Sequence, residues 1–231
     1  MADEKSFSEQ VARFRSETGA EAPNAEAKRA FANALREILE ELGATTAPPE
    51  AFEADTARLH RLAREFRKFP PTPPESSLGV PTGMETFQDR SPIVGFANPL
   101  APPARYEHHP DERCVRGEVE FGKAFEGAPG IVHGGFLAAL LDEVLGVATS
   151  YSGDPGMTGE YTIRYHHPTR IKVPLRFESR FDRREGRKIF VSANLWDGDT
   201  KTVTATGLFI AVDMSRFADL QAQRDERIGG R

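Results

Sequence analysis

The sequence predicts an α+β fold in which a curved antiparallel sheet wraps around one long central helix, with a helical extension at the N-terminus. Three observations lead to this prediction. Residues 1–75 carry two amphipathic helical stripes, and residues 112–213 carry five segments in which apolar and polar side chains alternate as in strands. Between the first and second strand lies a helical segment that is apolar on nearly all sides. Such a helix must be covered on most sides, and a curved sheet provides that cover.

The N-terminal extension, residues 1–75, is predicted to form a helical hairpin. Its first helix has Asn24 as a candidate N-cap and Gly43 as a stop, and its second starts after Pro48 and ends at the prolines of residues 70–74. The two apolar stripes consist of Phe31, Leu35, Ile38, Leu39 and Leu42, and of Phe52, Leu59, Leu62, Phe66 and Phe69. We expect the hairpin to pack on the protein's own core or on a neighbouring subunit. A lid over a substrate channel and a partner-binding element are the alternatives.

The remaining ranges are a connector, the main domain and a tail. Residues 76–111 are rich in proline and glycine and are predicted to be an extended connector, with a short strand at residues 91–96. Residues 112–213 form the main domain, whose last four strands are joined by hairpins and therefore make an antiparallel sheet. Residues 214–231 are a charged tail that we expect to fray. Because five strands and one helix leave a sheet edge and a helix side exposed, we expect a homodimer or a dimer of dimers.

Composition excludes several classes of function. The net charge of −5 argues against a nucleic-acid partner, and no apolar run reaches the roughly 18 residues that a membrane span needs. The first residues lack the apolar region of a secretory signal, so we expect a cytoplasmic protein. Cys114 is the only cysteine, and the two adjacent histidine pairs, at 108–109 and 166–167, are poorly placed to chelate on a strand. We therefore expect no metal site.

The most informative stretch is residues 127–135, which read Gly-Ala-Pro-Gly-Ile-Val-His-Gly-Gly and lead into the apolar helix. A helix N-terminus presents free N–H groups and the positive end of a dipole. Two turns into the helix stands Asp142, and a carboxylate in an apolar helix is costly unless it is paired or used. The combination indicates acyl chemistry. The neighbouring Glu143 lies about 100° around the helix and is predicted to face solvent or an ion pair.

These residues resemble those of the hotdog-fold acyl-CoA thioesterase superfamily. The resemblance rests on Gly-x-Val-His-Gly-Gly at residues 130–135, on Asp142 after six intervening residues, and on a following strand that carries Thr158. It is closest to the phenylacetic-acid-degradation type, including the kind called thioesterase superfamily member four. It extends over residues 90–213 and does not include residues 1–75.

The resemblance implies that the chain hydrolyses acyl-CoA thioesters at a dimer interface. By motif position, Asp142 is the catalytic carboxylate, acting as general base or nucleophile, and the backbone N–H of Gly134 polarises the thioester carbonyl. His133 stands beside it, and Thr158 helps to hold Asp142 or its water. Many relatives place Asn or Gln where this chain has Gly127. Any role of that side chain is therefore absent here or is filled by another residue.

The helical spacing adds an inference of its own. Gly134 and Asp142 are eight residues apart, which corresponds to about 12 Å along a helix. One carbonyl group cannot contact both residues in the same chain. If both are catalytic, each active site must take Gly134 from one subunit and Asp142 from another.

The substrate is predicted to be an acyl-CoA or an acyl-carrier-protein thioester, with coenzyme A as part of the substrate and no other cofactor. Gly135 lets a substrate approach the backbone, and the basic residues Arg164, Arg170 and Lys172 are candidate contacts for the coenzyme A phosphates. A solvated face is the alternative interpretation of each basic residue. Two other functions stay open, a hotdog dehydratase or hydratase and a non-catalytic acyl-CoA-binding module, and release of free thiol separates them from a thioesterase.

Overall fold

A computed structural model describes residues 24–69, 89–154 and 156–212. It contains a six-stranded antiparallel sheet wrapped around one apolar helix, with two helices before it, which confirms the predicted fold class. The helices are α1 (Ala25–Ala44), α2 (Pro49–Phe66) and α3 (Gly134–Ala148). The strands are β1 (Arg105–His109), β2 (Cys114–Glu120), β3 (Gly156–Tyr165), β4 (Pro174–Glu185), β5 (Lys188–Asp197) and β6 (Thr200–Ala211). They are ordered β1-β2-β4-β5-β6-β3 across the sheet.

The core lies between α3 and the concave face of the sheet. Six side chains of α3 are buried, namely Leu137, Leu140, Leu141, Val144, Leu145 and Ala148. They pack against every second residue of the central strands, such as Leu175 and Phe177 of β4 and Ile189, Val191 and Ala193 of β5. Burial of this much apolar surface is the main stabilising contribution to the domain.

The sheet has one strand more than predicted, because β1 lies inside the range 76–111 that was expected to be an extended connector. β1 pairs with β2 through the short turn Pro110–Glu112. Its sequence, Arg-Tyr-Glu-His-His, has no clear apolar alternation, because strand β1 lies at the edge of the sheet and none of its five residues is fully buried. These residues form a strand because they pair with β2, and not because their own sequence alternates.

The short strand expected at residues 91–96 is a wrong prediction. These residues form turns, in which the Ser91 hydroxyl accepts the backbone N–H groups of Ile93 and Val94 and the Ser91 carbonyl accepts that of Gly95. A serine that bonds the backbone ahead of it favours a turn over a strand. The predicted proline stop at 70–74, the connector's first part at 76–88 and the fraying tail at 214–231 lie outside the described residues.

The two N-terminal helices begin where the sequence predicts, but they differ in how they are held. The Asn24 side chain makes no capping bond, and α1 continues one residue past Gly43. Arg36 of α1 donates to four backbone carbonyls, those of Gly95, Phe96, Asn98 and Ala101. By contrast, α2 buries none of its residues and meets α1 in an edge-to-face contact between Phe66 and Phe31, with ring centroids 5.3 Å apart. The hairpin therefore rests on the domain through α1.

Candidate active site

The turn that precedes α3 is organised around Glu126. The Glu126 carboxylate accepts the Gly130 N–H at 2.6 Å and forms an ion pair with Lys123. The Lys123 ammonium, followed by the Gly130 N–H, holds the pKa of Glu126 below its usual value. Gly130 has φ +76°, a left-handed conformation that favours glycine. These contacts fix the path by which the chain enters the helix.

His133 is the N-cap residue of α3, and its ring nitrogen Nδ1 accepts the backbone N–H of Gly135 at 3.0 Å. A nitrogen that accepts carries no proton, so the neutral ring is assigned its proton on Nε2. A Cβ atom on Gly135 would lie 3.1 Å from Nδ1, a tight contact that the His133 ring would have to relieve by a small shift. Gly127, the position of the Asn or Gln of many relatives, also lies against this histidine, and a Cβ atom there would lie 3.0 Å from the His133 Cα.

Gly134 is the first residue of α3, and within the described residues its N–H has no hydrogen-bond acceptor. A free N–H at the positive end of a helix can polarise a carbonyl oxygen. The structure thus brings three of the predicted residues, His133, Gly134 and Gly135, into one short turn.

Tyr165 of β3 is part of the same cluster and was not predicted as a site residue. Its hydroxyl donates to the Gly134 carbonyl at 2.8 Å, and its ring lies 3.4 Å from where a Gly134 Cβ atom would be. Burial raises the pKa of the Tyr165 phenol. The sequence did contain a signal for its position, because Tyr161, Ile163 and Tyr165 alternate and therefore share one face of the strand. Tyr161 on that face also reaches α3, where it donates to the Ala138 carbonyl at 3.2 Å.

Asp142 lies two turns further along α3 and is half-buried. The Thr158 hydroxyl donates to the Asp142 carboxylate at 3.0 Å. The structure brings these two predicted residues together, while the rise of the helix places Asp142 about 12 Å along the axis from Gly134 of the same chain.

A β-bulge at Gly159 aims Thr158 at the helix. The pairing of β3 with β6 shifts between Thr158 and Glu160, which leaves one extra residue on β3. Strict alternation would place Thr158 and Tyr161 on opposite faces, yet both side chains contact α3. Glycine inside a strand pattern is the sequence signal of such a bulge.

Glu143 was predicted to face solvent or an ion pair, and that prediction is wrong. Its side chain is half-buried and accepts a hydrogen bond from the Ser91 hydroxyl at 3.1 Å. Burial raises the pKa of Glu143, the Ser91 hydrogen bond opposes this shift, and the Asp142 charge adds to it. The turn segment that contains Ser91 covers this side of the helix, which helical geometry alone could not reveal.

The three basic residues predicted to bind phosphate differ in their surroundings. The Arg170 guanidinium forms two hydrogen bonds, of 2.7 and 2.6 Å, with the carboxylate of Asp197. Lys172 has its Nζ atom 3.9 Å from a carboxylate oxygen of Glu40 in α1. Arg164 is exposed on β3 and has no ion-pair partner within the described residues. Of these three residues, Arg164 is therefore the one whose side chain is most available to a ligand.

Comparison with known proteins identifies the family. A family model described as "Thioesterase superfamily" matches residues 129–204. The crystal structure of a thioesterase superfamily protein superimposes with a TM-score of 0.70 at 32% sequence identity, covering 79% of this chain and 90% of that one. The chain belongs to the thioesterase superfamily. The phenylacetic-acid-degradation subtype stays a prediction.

Two curated relatives extend the comparison. Acyl-coenzyme A thioesterase THEM4 of Bos taurus is 38% identical over 105 residues, which are 45% of this chain and 43% of that protein. Acyl-coenzyme A thioesterase THEM5 of Mus musculus is 27% identical over 151 residues, covering 62% of this chain and 61% of that protein. The chain thus spans less than half of the bovine relative's length.

None of the helices among the described residues combines the length and the hydropathy needed to cross a membrane. Across residues 24–69, 89–154 and 156–212, no three His, Cys, Asp or Glu side chains come together as possible metal ligands.

Because the pKa of Glu143 is raised, we expect this residue to make the stability of the folded protein depend on pH. A carboxyl group whose pKa is raised by folding stabilises the folded chain below the pKa of the unfolded state, and this contribution is lost as the pH rises through the folded pKa. Glu143→Gln keeps an acceptor for Ser91 and cannot ionise. We expect the Tm of the variant, relative to the unaltered protein, to increase between pH 4 and pH 8 in thermal melts, by roughly 2–4 °C for each kcal/mol of avoided ionisation cost. A Tm difference that stays constant or falls with pH would contradict the assignment.

Proposed function

We propose that the protein is an acyl-CoA thioesterase that hydrolyses an acyl thioester to a free acid and a thiol. The observation that carries this proposal is the pair of groups on α3, a free amide at the helix N-terminus and a carboxylate held by Thr158. Membership of the thioesterase superfamily supports the same reaction. The relatives that are called acyl-coenzyme A thioesterases support coenzyme A as the thiol.

Hydrolysis of a thioester first requires that charge on the carbonyl oxygen be stabilised. The Gly134 N–H supplies this stabilisation at the positive end of α3, where no side chain has to move. The Nε2–H of His133 is a second donor beside it, since Nδ1 is occupied by Gly135. This assignment makes His133 a positioning and hydrogen-bonding group rather than the base that a dehydratase needs.

The second requirement is attack on the carbonyl carbon. Asp142 either removes a proton from a water molecule or attacks the carbon itself, and Thr158 holds the carboxylate in one orientation. Single turnover in ¹⁸O-labelled water tests the nucleophilic role: direct attack by water places the label only in the product acid, whereas hydrolysis of an aspartyl anhydride at the aspartyl carbonyl places it in the Asp142 carboxylate.

We infer that each active site combines Gly134 of one subunit with Asp142 of another. The separation of Gly134 and Asp142 along α3 supports this arrangement. The outer strand β3 also offers an unpaired sheet edge to a second copy of the chain. Near that edge, three large apolar side chains are at least two-fifths exposed, Phe136 at 40%, Met157 at 55% and Tyr165 at 49%. Covering them in a homodimer, or in a dimer of dimers, would remove both the apolar surface and the open edge of β3 from water.

The remaining assignments are proposals from the sequence with partial structural support. Arg164 is the favoured contact for a coenzyme A phosphate, and Gly135 leaves room for the acyl thioester. Arg170 and Lys172 can contribute only if they leave or share their carboxylate partners. An acyl-carrier-protein substrate remains an alternative, and the cytoplasmic location remains a prediction from composition.

The role of Asp142 can be tested by substitution. We expect Asp142→Asn to lower kcat by about 10²–10⁴-fold in a thiol-release assay across a panel of acyl-CoAs, because the amide can neither accept a proton nor attack. Glu143→Gln is the matched control on the adjacent position and should retain most of the turnover. The opposite ranking would refute the assignment of Asp142.

The role of the Gly134 N–H can be tested by removing only that group. Proline is tolerated at the first position of a helix, and the extended conformation of His133, φ −62° and ψ 130°, is compatible with a following proline. We expect Gly134→Pro to lower kcat by about 10²–10³-fold. The control Gly134→Ala keeps the N–H, and its methyl group fits at ordinary contact distance from Tyr165. Equal losses in both variants would exclude the amide as the decisive group.

The shared site can be tested with mixed dimers. Gly134→Pro and Asp142→Asn subunits should each be nearly inactive alone. Co-expressed with two different affinity tags and purified through both, they should regain activity, since one of the two sites then has both intact groups. Mixed dimers that remain as inactive as either parent would rule out composite sites.

A further inference from the structure

We propose that Glu40 of the N-terminal extension is a positioning residue that holds the active-site turn in place. The inference rests on the proposed function, because the turn in question carries His133 and Gly134. It assigns a role to an extension that lies outside the residues 129–204 matched by the family model. The role is a fixed support for the turn rather than a lid over the site.

The contact joins α1 to the short helical turn Lys123–Phe125. The two carboxylate oxygens of Glu40 accept the backbone N–H groups of Lys123 at 2.7 Å and Ala124 at 3.1 Å. The first N–H groups of any helical turn lack acceptors within it, and the N-cap residue here, Gly122, has no side chain to supply one. Glu40 therefore caps this turn from a position more than 80 residues away in the chain.

Gly122 leaves the space that Glu40 occupies. A Cβ atom built on Gly122 would lie 2.0 Å from the nearest carboxylate oxygen of Glu40 and 2.4 Å from its carboxyl carbon. Non-bonded atoms do not approach this closely, so any residue larger than glycine at position 122 must displace the Glu40 carboxylate. Gly122 has φ −84° and ψ −169°, which is ordinary extended backbone. Its glycine is therefore explained by the approach of Glu40 and not by backbone conformation.

The supported turn leads directly to the catalytic end of α3. The Phe125 carbonyl accepts the backbone N–H of His133 at 2.9 Å. The Phe125 ring packs edge-on against Phe121 and Phe136, with ring centroids 5.4 and 5.0 Å away. A shift of the turn therefore moves the N-cap residue His133 and, with it, the free N–H of Gly134.

Two further residues on the same face of α1 anchor the helix, so that Glu40 can act as a support. Arg36 lies one helical turn earlier and bonds four backbone carbonyls of residues 95–101. Arg29 forms an ion pair with Asp89 at 2.7 Å. Helix α1 thus bridges two loops of the domain, and Glu40 is its contact with the loop that shapes the active site.

Kinetics of full-length variants test the proposal. We expect Glu40→Ala and Gly122→Ala each to lower kcat by about 10–100-fold, because small displacements of a catalytic group are costly, while KM changes little. Glu40→Gln retains one acceptor oxygen and should lose less. The control Glu37→Ala removes an exposed carboxylate from the preceding turn of α1 and should leave kcat unchanged. Each variant is assayed at a temperature at which circular dichroism shows it folded.

The double variant supplies the sharpest comparison. Once Glu40 is alanine, a methyl group on residue 122 no longer meets the carboxylate, so Gly122→Ala should cost little more in that background. Losses of kcat that multiply in the double variant, or an equal loss in Glu37→Ala, would overturn the proposal.

Amide hydrogen exchange keeps this test separate from that of the proposed function. In Glu40→Ala, the N–H groups of Lys123, Ala124 and His133 should exchange faster than in the unaltered protein, whatever reaction the protein catalyses. If the unaltered chain releases no thiol from any acyl-CoA, the proposed function fails. The exchange rates alone then show whether Glu40 holds the turn in place. Unchanged exchange at His133 would overturn the proposal even if the thioesterase activity is present.

Discussion

The structure depends above all on the burial of one apolar helix in a curved sheet. With six of its side chains packed against the strands, α3 has a fixed axis and a fixed rotation. Both groups of the proposed chemistry, the Gly134 N–H and the Asp142 carboxylate, lie on that helix, so their separation and direction are set by core packing and not by loops. Groups carried on a rigid, packed element need no reordering when a substrate arrives.

The loops around the helix refine this arrangement through polar contacts with the backbone. Tyr165 bonds the first carbonyl of α3, Glu126 closes the preceding turn, and the ring of His133 satisfies the Gly135 N–H. The Gly135 N–H is one of the amides that lack an acceptor inside the helix, whereas the Tyr165 hydroxyl adds a hydrogen bond to a carbonyl at the same entrance. The result is one defined geometry in which the N–H of Gly134 remains available to a ligand.

The sequence allowed the fold class, the central helix and the association of His133, Gly134 and Asp142 with one helix to be predicted, because alternation and helical spacing are local properties. Contacts between distant segments were not predictable in this way. The hydrogen bond from Ser91 to Glu143 and the ion pair of Arg170 with Asp197 join residues 52 and 27 positions apart. The contact of Thr158 with Asp142 was expected from the resemblance alone, because strict alternation from Tyr161 would place Thr158 on the opposite face and only the bulge at Gly159 turns it toward the helix.

The contact of Glu40 with the turn at Lys123 also has a consequence for the order in which the protein folds. The two partners are separated by 83 residues, so the helix that supports the turn is synthesised well before the turn exists. Long-range contacts of this kind form late, after local helices and hairpins have already appeared. A nascent chain can therefore possess its N-terminal helices, and later its sheet, before it possesses a catalytically competent helix entrance. If Glu40 has the proposed role, the geometry of the helix entrance depends on the docking of α1 as well as on the folding of the sheet.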